Sequence, residues 1–133
     1  MQELYHIAFQ IASILQDAVE LPNALVLQPM KNSPKVRSLL ISLGYAIKKD
    51  FTFKCGKIFY DLIVCEKGKD FLTEEEVEFG RTNIKEKPSD FVDYLKLKIK
   101  NLISFSQSEN LGENTHTEMK KQVERLKKYV DVK

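Results

Sequence analysis

Side chains able to do chemistry are few and scattered in this 133-residue chain. The two histidines lie far apart: His6 falls on an apolar helical stretch and His116 in or beside a late polar loop. Each is read as a structural or solvated imidazole and not as an acid–base catalyst. Glu74, Glu75, Glu76 and Glu78 form a carboxylate cluster. They open a predicted helix, where the helix dipole favours negative charge, so the cluster needs no metal to explain it. Cys55 and Cys65 have neither CxxC nor zinc spacing and are expected as reduced thiols. No glycine-rich nucleotide loop, HExxH or GxSxG pattern occurs. The residues themselves therefore predict no catalytic, cofactor-binding or metal-binding set. What remains is charge in the last third, where Lys96, Lys100, Lys120, Lys121, Lys127 and Lys128 are spaced to meet RNA phosphates or to solvate helix faces.

The elements that must hold these groups follow from hydrophobic spacing. Residues 3–19 have one apolar helical side that includes Leu4, Ile7, Ala8 and Ile11, and Pro22-Asn23 ends that stretch. Ala24-Leu25-Val26-Leu27 is a short continuous apolar run, which suits a strand of a parallel sheet buried on both faces. Asn32 or Ser33 then caps a helix with Pro34 in its first turn, Val36, Leu39, Leu40 and Leu43 as its stripe, and Gly44 as its stop. Residues 46–54 and 57–66 read as a hairpin turning at Cys55-Gly56. In that register Lys54 faces Lys57, Phe51 faces Tyr60 and Cys65 lies opposite Ala46, so the sulfurs do not meet. The second strand is apolar on both faces and belongs inside a sheet.

Thr73 and Glu76 form a capping-box pattern for a short helix ended by Gly80, and residues 81–87 read as linker. After Pro88, one helix with a Val92, Leu95, Ile99, Leu102 seam and another with a Met119, Val123, Leu126, Val130 seam flank a polar loop at 106–115. This predicts an antiparallel helical hairpin.

Composition bounds the rest. Apolar residues are 43% and charged residues 30%, ordinary globular usage that argues against disorder, and a net charge of +2 does not by itself point to nucleic acid. No run approaches the roughly 18 apolar residues of a membrane span, and the early apolar stretch has no basic leader. A cytoplasmic protein is expected.

One ordered set of short motifs adds to this reading: Leu27-Gln28-Pro29-Met30, Val36-Arg37-Ser38-Leu39, Gly44-Tyr45, Cys55-Gly56-Lys57, Tyr60 to Val64, and Glu74 to Gly80. From about residue 11 to its end the chain resembles the bacterial tRNA (adenine-N1)-methyltransferase family that modifies the adenine at position 22. The resemblance implies an α/β fold: a partial class I (Rossmann-like) methyltransferase sheet, comprising its last three strands with a terminal antiparallel hairpin, followed by an α-helical hairpin. It implies three parts: 1–70 as the C-terminal portion of the Rossmann-like domain, 71–87 as a short helix and linker, and 88–133 as a coiled-coil-like helical hairpin. The 58–66 strand would be inserted between its two neighbours.

In that family S-adenosylmethionine supplies the methyl group and tRNA receives it. Gln28, Pro29 and Asn32 would then line the mouth of the active site, and the six lysines named above would contact tRNA. Two departures stand out: Met30 occupies a position where the family has Asn, and no glycine precedes Gly44, although a glycine turn is expected near Tyr5 to Phe9. The expectation is a truncated family member that binds no cofactor alone and lacks activity alone. It would be partnered by tRNA and either by a second copy or by a complementing N-terminal half. The alternative is a non-catalytic RNA-binding or dimerising helical hairpin.

Overall fold

The computed structural model describes residues 21–29, 31–107 and 112–130. The helix expected over residues 3–19 and the substitution at Met30 lie outside them. The chain divides into two compact units, Met1–Pro88 and Ser89–Lys133.

The first unit holds a three-stranded sheet: β1 (Ala24–Leu27), β2 (Tyr45–Cys55) and β3 (Ile58–Lys67). Its order is β1-β3-β2, with β3 antiparallel to both neighbours. β1 and β2 run the same way but never pair, because β3 is inserted between them as expected. Helix α1 (Ser33–Ser42) connects β1 to β2, and α2 (Glu74–Phe79) and α3 (Arg81–Glu86) follow β3. Leu25, Leu27, Val36, Leu40, Ile63 and Cys65 are central to the core. β1 is buried on one face only: Leu25 and Leu27 point into the core, whereas Val26 is 45% exposed. The expected double burial is therefore corrected. A four-residue apolar run does not distinguish one covered face from two.

The hairpin register also differs from expectation. Its two-residue turn is Gly56-Lys57, with Cys55 opposite Ile58, Phe53 opposite Tyr60 and Phe51 opposite Leu62. Moving the turn by one residue slips every pair by two, so the faces are preserved while the partners change. Gly56 has φ +63, the conformation such a turn demands. Farther down, a bulge at Lys48 breaks the ladder, and Cys65 pairs with Ile47 instead of Ala46. The bulge changes the parity of β2. It puts Tyr45 and Ile47 on one side of it and Asp50 and Thr52 on the other into the same buried face.

Arg37 is only 1% exposed and links three elements. Its Nε donates to Asp50 Oδ2 (2.6 Å) and its Nη2 to Asp50 Oδ1 (3.0 Å). Its Nη1 donates to the Val77 and Glu78 carbonyls of α2 (2.9 and 3.1 Å). The remaining last-turn carbonyls of α2 are also satisfied, Glu76 by the Gly80 N–H and Phe79 by Asn83 Nδ2. At the other end of α2 the Thr73–Glu76 capping box is formed in both directions.

Residues 81–86, expected as linker, form α3 instead. Its side chains occupy the outer edge of β2. Thr82 Oγ1 accepts from the Asp50 N–H (2.8 Å) and Asn83 Oδ1 from the Thr52 N–H (3.0 Å). Arg81 Nη1 donates to the Ile47 carbonyl, while Asp70 accepts from the Ile47 N–H. An open edge that would otherwise template aggregation is thereby closed by side chains.

The second unit is an antiparallel helix pair, α4 (Ser89–Ser106) and α5 (Glu113–Val130). Leu95, Ile99, Val123 and Leu126 are buried as the two seams predict, while Val92, Leu102, Met119 and Val130 are half-buried. Phe91 and Tyr129, outside both predicted seams, are buried too and meet edge-on with ring centroids 6.4 Å apart. α5 begins at Glu113, inside the expected loop.

Two outcomes follow for the first unit. A Cβ on Gly80 would lie 2.8 Å from Asp50 Oδ1 and 3.1 Å from Arg37 Nη2, at a φ of +100. Gly80→Ala should therefore lower stability by roughly 2 kcal/mol or more in urea unfolding. The Asp70 carboxyl is held below its usual value, chiefly by hydrogen bonds from Arg81 and also by the Ile47 and Phe71 N–H groups. A depressed folded pKa gives stability that is present above the unfolded value of about 3.9 and lost as pH falls through the folded one. Wild type should thus lose more stability than Asp70→Asn between pH 6 and pH 3, read from urea midpoints.

Candidate functional site

The carboxyl end of β1 opens into the loop that carries the expected substrate-mouth residues. Gln28 is half-buried, Pro29 buried and Asn32 exposed. Asn32 has φ 57 and caps α1 through its backbone, its carbonyl accepting from the Lys35 and Val36 N–H groups (3.0 and 3.2 Å). Its side chain makes no cap bond. The Asn32 amide therefore stays exposed beside the strand end, while Pro29 is buried.

Ser33, the next residue, anchors this loop to the hairpin. Its Oγ donates to Asp61 Oδ2 (2.7 Å), and Thr52 Oγ1 donates to Asp61 Oδ1 (2.7 Å). Asn83 Nδ2 donates in turn to Thr52 Oγ1 (2.9 Å), and Arg37 Nη2 stands 3.7 Å from Asp61 Oδ2. Burial pushes the neighbouring Asp50 carboxyl up, and the Arg37 guanidinium opposes that shift. Motif and spacing arguments miss this network. A signal is nonetheless present: Ser33, Val36, Arg37 and Leu40 follow i, i+3, i+4, i+7, so Arg37 lies on the buried stripe of α1. A charged residue there requires an inward-facing acid.

Lys96, Lys100, Lys120, Lys121, Lys127 and Lys128 are all exposed on the helix pair, which brings them together in the second unit. Lys121 and Lys127 stand 3.8 Å from Glu118 and Glu124, distances at which an exposed pair contributes little. His116 is half-buried and shares with Ile103 and Lys120 a groove of about 430 Å³ between the helices. Burial pushes the Cys65 thiol up to about 11, whereas Cys55 is exposed at the hairpin turn, at the opposite end of the ladder. Among the described residues no three His, Cys, Asp or Glu side chains converge as a metal site. No described helix is long and apolar enough to cross a membrane.

Class I sheets hold their cofactor at strand carboxyl ends, where glycine lets the backbone come close. The described glycines are Gly44, Gly56, Gly68, Gly80 and Gly112, and none follows β1 directly. Gln28, Pro29 and Asn32 are the described groups at the end of this strand.

Comparisons with known proteins agree with the architecture. Sp1610 of Streptococcus pneumoniae superposes with a TM-score of 0.82 at 22% identity, covering 95% of this chain and 59% of that one. TrmK of M. capricolum, solved with S-adenosyl-homocysteine, gives 0.78 at 25% identity, covering 96% and 57%. The B. subtilis m1A22 tRNA methyltransferase TrmK gives 0.72 at 22%, covering 95% and 60%. The chain thus spans under two thirds of the length of these structures. The fold is the α/β fold expected, and it is similar to that of a protein in the NADB-Rossmann superfamily from Streptococcus agalactiae, with a TM-score of 0.79 at 19% identity, covering 96% of this chain and 57% of that one. No curated protein matches the chain. The family model described as TrmK, tRNA (adenine(22)-N(1))-methyltransferase, matches residues 8–130, and the chain belongs to that family.

Proposed function

We propose that this chain acts in N1-methylation of adenine 22 of tRNA, as the portion of the enzyme that closes the sheet and contacts the RNA. The family match over residues 8–130 carries this reading. The target nitrogen lies inside a paired or stacked base, so the adenine must leave its stack to react. Gln28 and Asn32, at the strand end, are suited to border the extruded base, and the lysines of α4 and α5 to hold the tRNA backbone. S-adenosylmethionine supplies the methyl group in the complete site. On this reading the chain alone neither binds the cofactor nor turns over. Its place of work is the cytoplasm, with the tRNA.

A second reading, association with another polypeptide, is favoured by one face of the sheet. Opposite Arg37, Val26 is 45% and Ile58 54% exposed, and Phe51, Phe53, Leu62 and Val64 share their face with partial exposure. β1 has one strand neighbour among the described residues. An apolar face beside an open edge favours a partner, either a second copy or a polypeptide carrying the remainder of the fold.

Three measurements test these readings. Calorimetric titration of the chain with S-adenosylmethionine should give no binding, and saturable binding would overturn the account of the incomplete cofactor site. tRNA binding should weaken steeply with salt, and reversing Lys120, Lys121, Lys127 and Lys128 to Glu should abolish it. Salt-independent binding, or none, would reduce these lysines to solvated surface. Sedimentation of the chain alone, where a strictly monomeric species would count against self-association, addresses the apolar face.

A further inference from the structure

Given the RNA-contacting role proposed above, we infer that tRNA is gripped by the basal half of the helix pair, while its loop-end half stays clear of the phosphates. The two halves are fixed by packing. Phe91 against Tyr129 marks the base, and Ile103 and Ser106 beside Glu113 and His116, in a groove that runs on toward Lys120 and Lys127, mark the loop end. Residues 89–100 therefore lie beside residues 119–130, and residues 101–107 beside residues 112–118.

Charge is sorted between these halves. On the basal part of α4, Lys96, Lys98 and Lys100 oppose Asp90 and Asp93. On the basal part of α5, Lys120, Lys121, Arg125, Lys127 and Lys128 oppose Glu124. Eight basic against three acidic residues leave the base at +5. The loop-end half has no Lys or Arg among its described residues and carries Glu113 and Glu118, a net of −2 with His116 neutral. The contrast between the halves exceeds the net charge of +2 of the whole chain.

Helix dipoles explain only part of this. Cations at the C-terminal end of α5 are favoured by its dipole, which acts over the last turn. The lysines of α4 lie mid-helix, beyond its reach. Lys96, Lys100, Lys120 and Lys128 are exposed and make no ion pair among the described residues, so meeting a phosphate breaks no existing bond. Lys121 and Lys127 give up only long, exposed pairs. A positive segment about 18 Å long, at roughly 1.5 Å per residue over twelve residues, suits an RNA backbone, whereas the acidic loop end repels one.

The test compares two triple variants of the full chain in tRNA binding across a salt series. Lys96→Gln, Lys100→Gln and Lys128→Gln together should weaken binding at least about 10-fold near 0.1 M salt. They should also flatten the log–log salt slope by about 2, since each phosphate no longer neutralised removes roughly 0.7–0.9 from it. Gln107→Ala, Asn114→Ala and His116→Ala together should stay within about 2-fold of the parent. Lysine acylation of the wild-type chain, read by mass spectrometry with and without tRNA, gives an answer that does not depend on variant folding. Lys96, Lys100, Lys120 and Lys128 should be protected by tRNA and Lys67 and Lys69 should not. Loop-end substitutions that cost as much as basal ones, or basal lysines left unprotected by bound tRNA, overturn the inference while RNA binding itself stands. A parent chain that binds no tRNA removes the RNA-contacting role, and this inference with it.

Discussion

The guanidinium of Arg37 lies in the interior of the first unit with the Asp50 carboxylate along its Nε–Nη2 edge and two α2 carbonyls at its Nη1. Removing two charges from water carries a penalty of several kcal/mol per ion, and the attraction between them offsets it only when the hydrogen-bonding positions are filled. Here they are largely filled, with four short hydrogen bonds from one guanidinium. The consequence is directional. Asp50 belongs to β2, Arg37 to α1, and the accepting carbonyls to α2, so one polar centre fixes how three elements meet. An apolar core could supply similar stability, but it would tolerate sliding of α1 along the sheet. The bidentate pair does not, because its geometry is lost within an ångström or so.

Asp61 extends that order to the strand-end loop. Through Ser33 it fixes the first turn of α1, and through Thr52 and Asn83 it reaches α3. The loop bearing Gln28 and Asn32 is thus held at its far end by the hairpin. The proposed function gives this arrangement a purpose: a base drawn out of tRNA would need a rim that does not yield. The helix pair needs no such centre. Its seam is apolar and its charge lies on the surface, so it is suited to meet a backbone by shape and sign and not by recognition of single atoms.

Much of this is legible in the chain. Helical spacing finds α1, α4 and α5. The Thr73–Glu76 capping box locates α2 to the residue, because cap chemistry is local. The two-sided apolarity of residues 58–66 places β3 inside the sheet, where it lies. The differences share a physical origin in interactions remote in sequence. The hairpin turn departs from expectation by one residue because Cys55-Gly56 and Gly56-Lys57 both contain the needed glycine, so local sequence does not choose between them. α3 reads as linker because six residues carry too little periodicity to register. Its reason for being helical is the β2 edge that Thr82 and Asn83 cover, 31 or 32 positions away. Of the candidate site, Gln28, Asn32 and the lysines are visible as types in place. The acid partners of Arg37 are not, since nothing local joins residue 37 to residues 50 and 61.

The bulge at Lys48 has an implication for how such a chain tolerates change over evolutionary time. Strand parity is reset once there, so it is the natural place for this hairpin to gain or lose one position. Elsewhere along β2 a single inserted residue would turn Asp50 or Tyr45 outward. Length variation among descendants of this sequence should therefore collect at residue 48 or, in steps of two, at the turn.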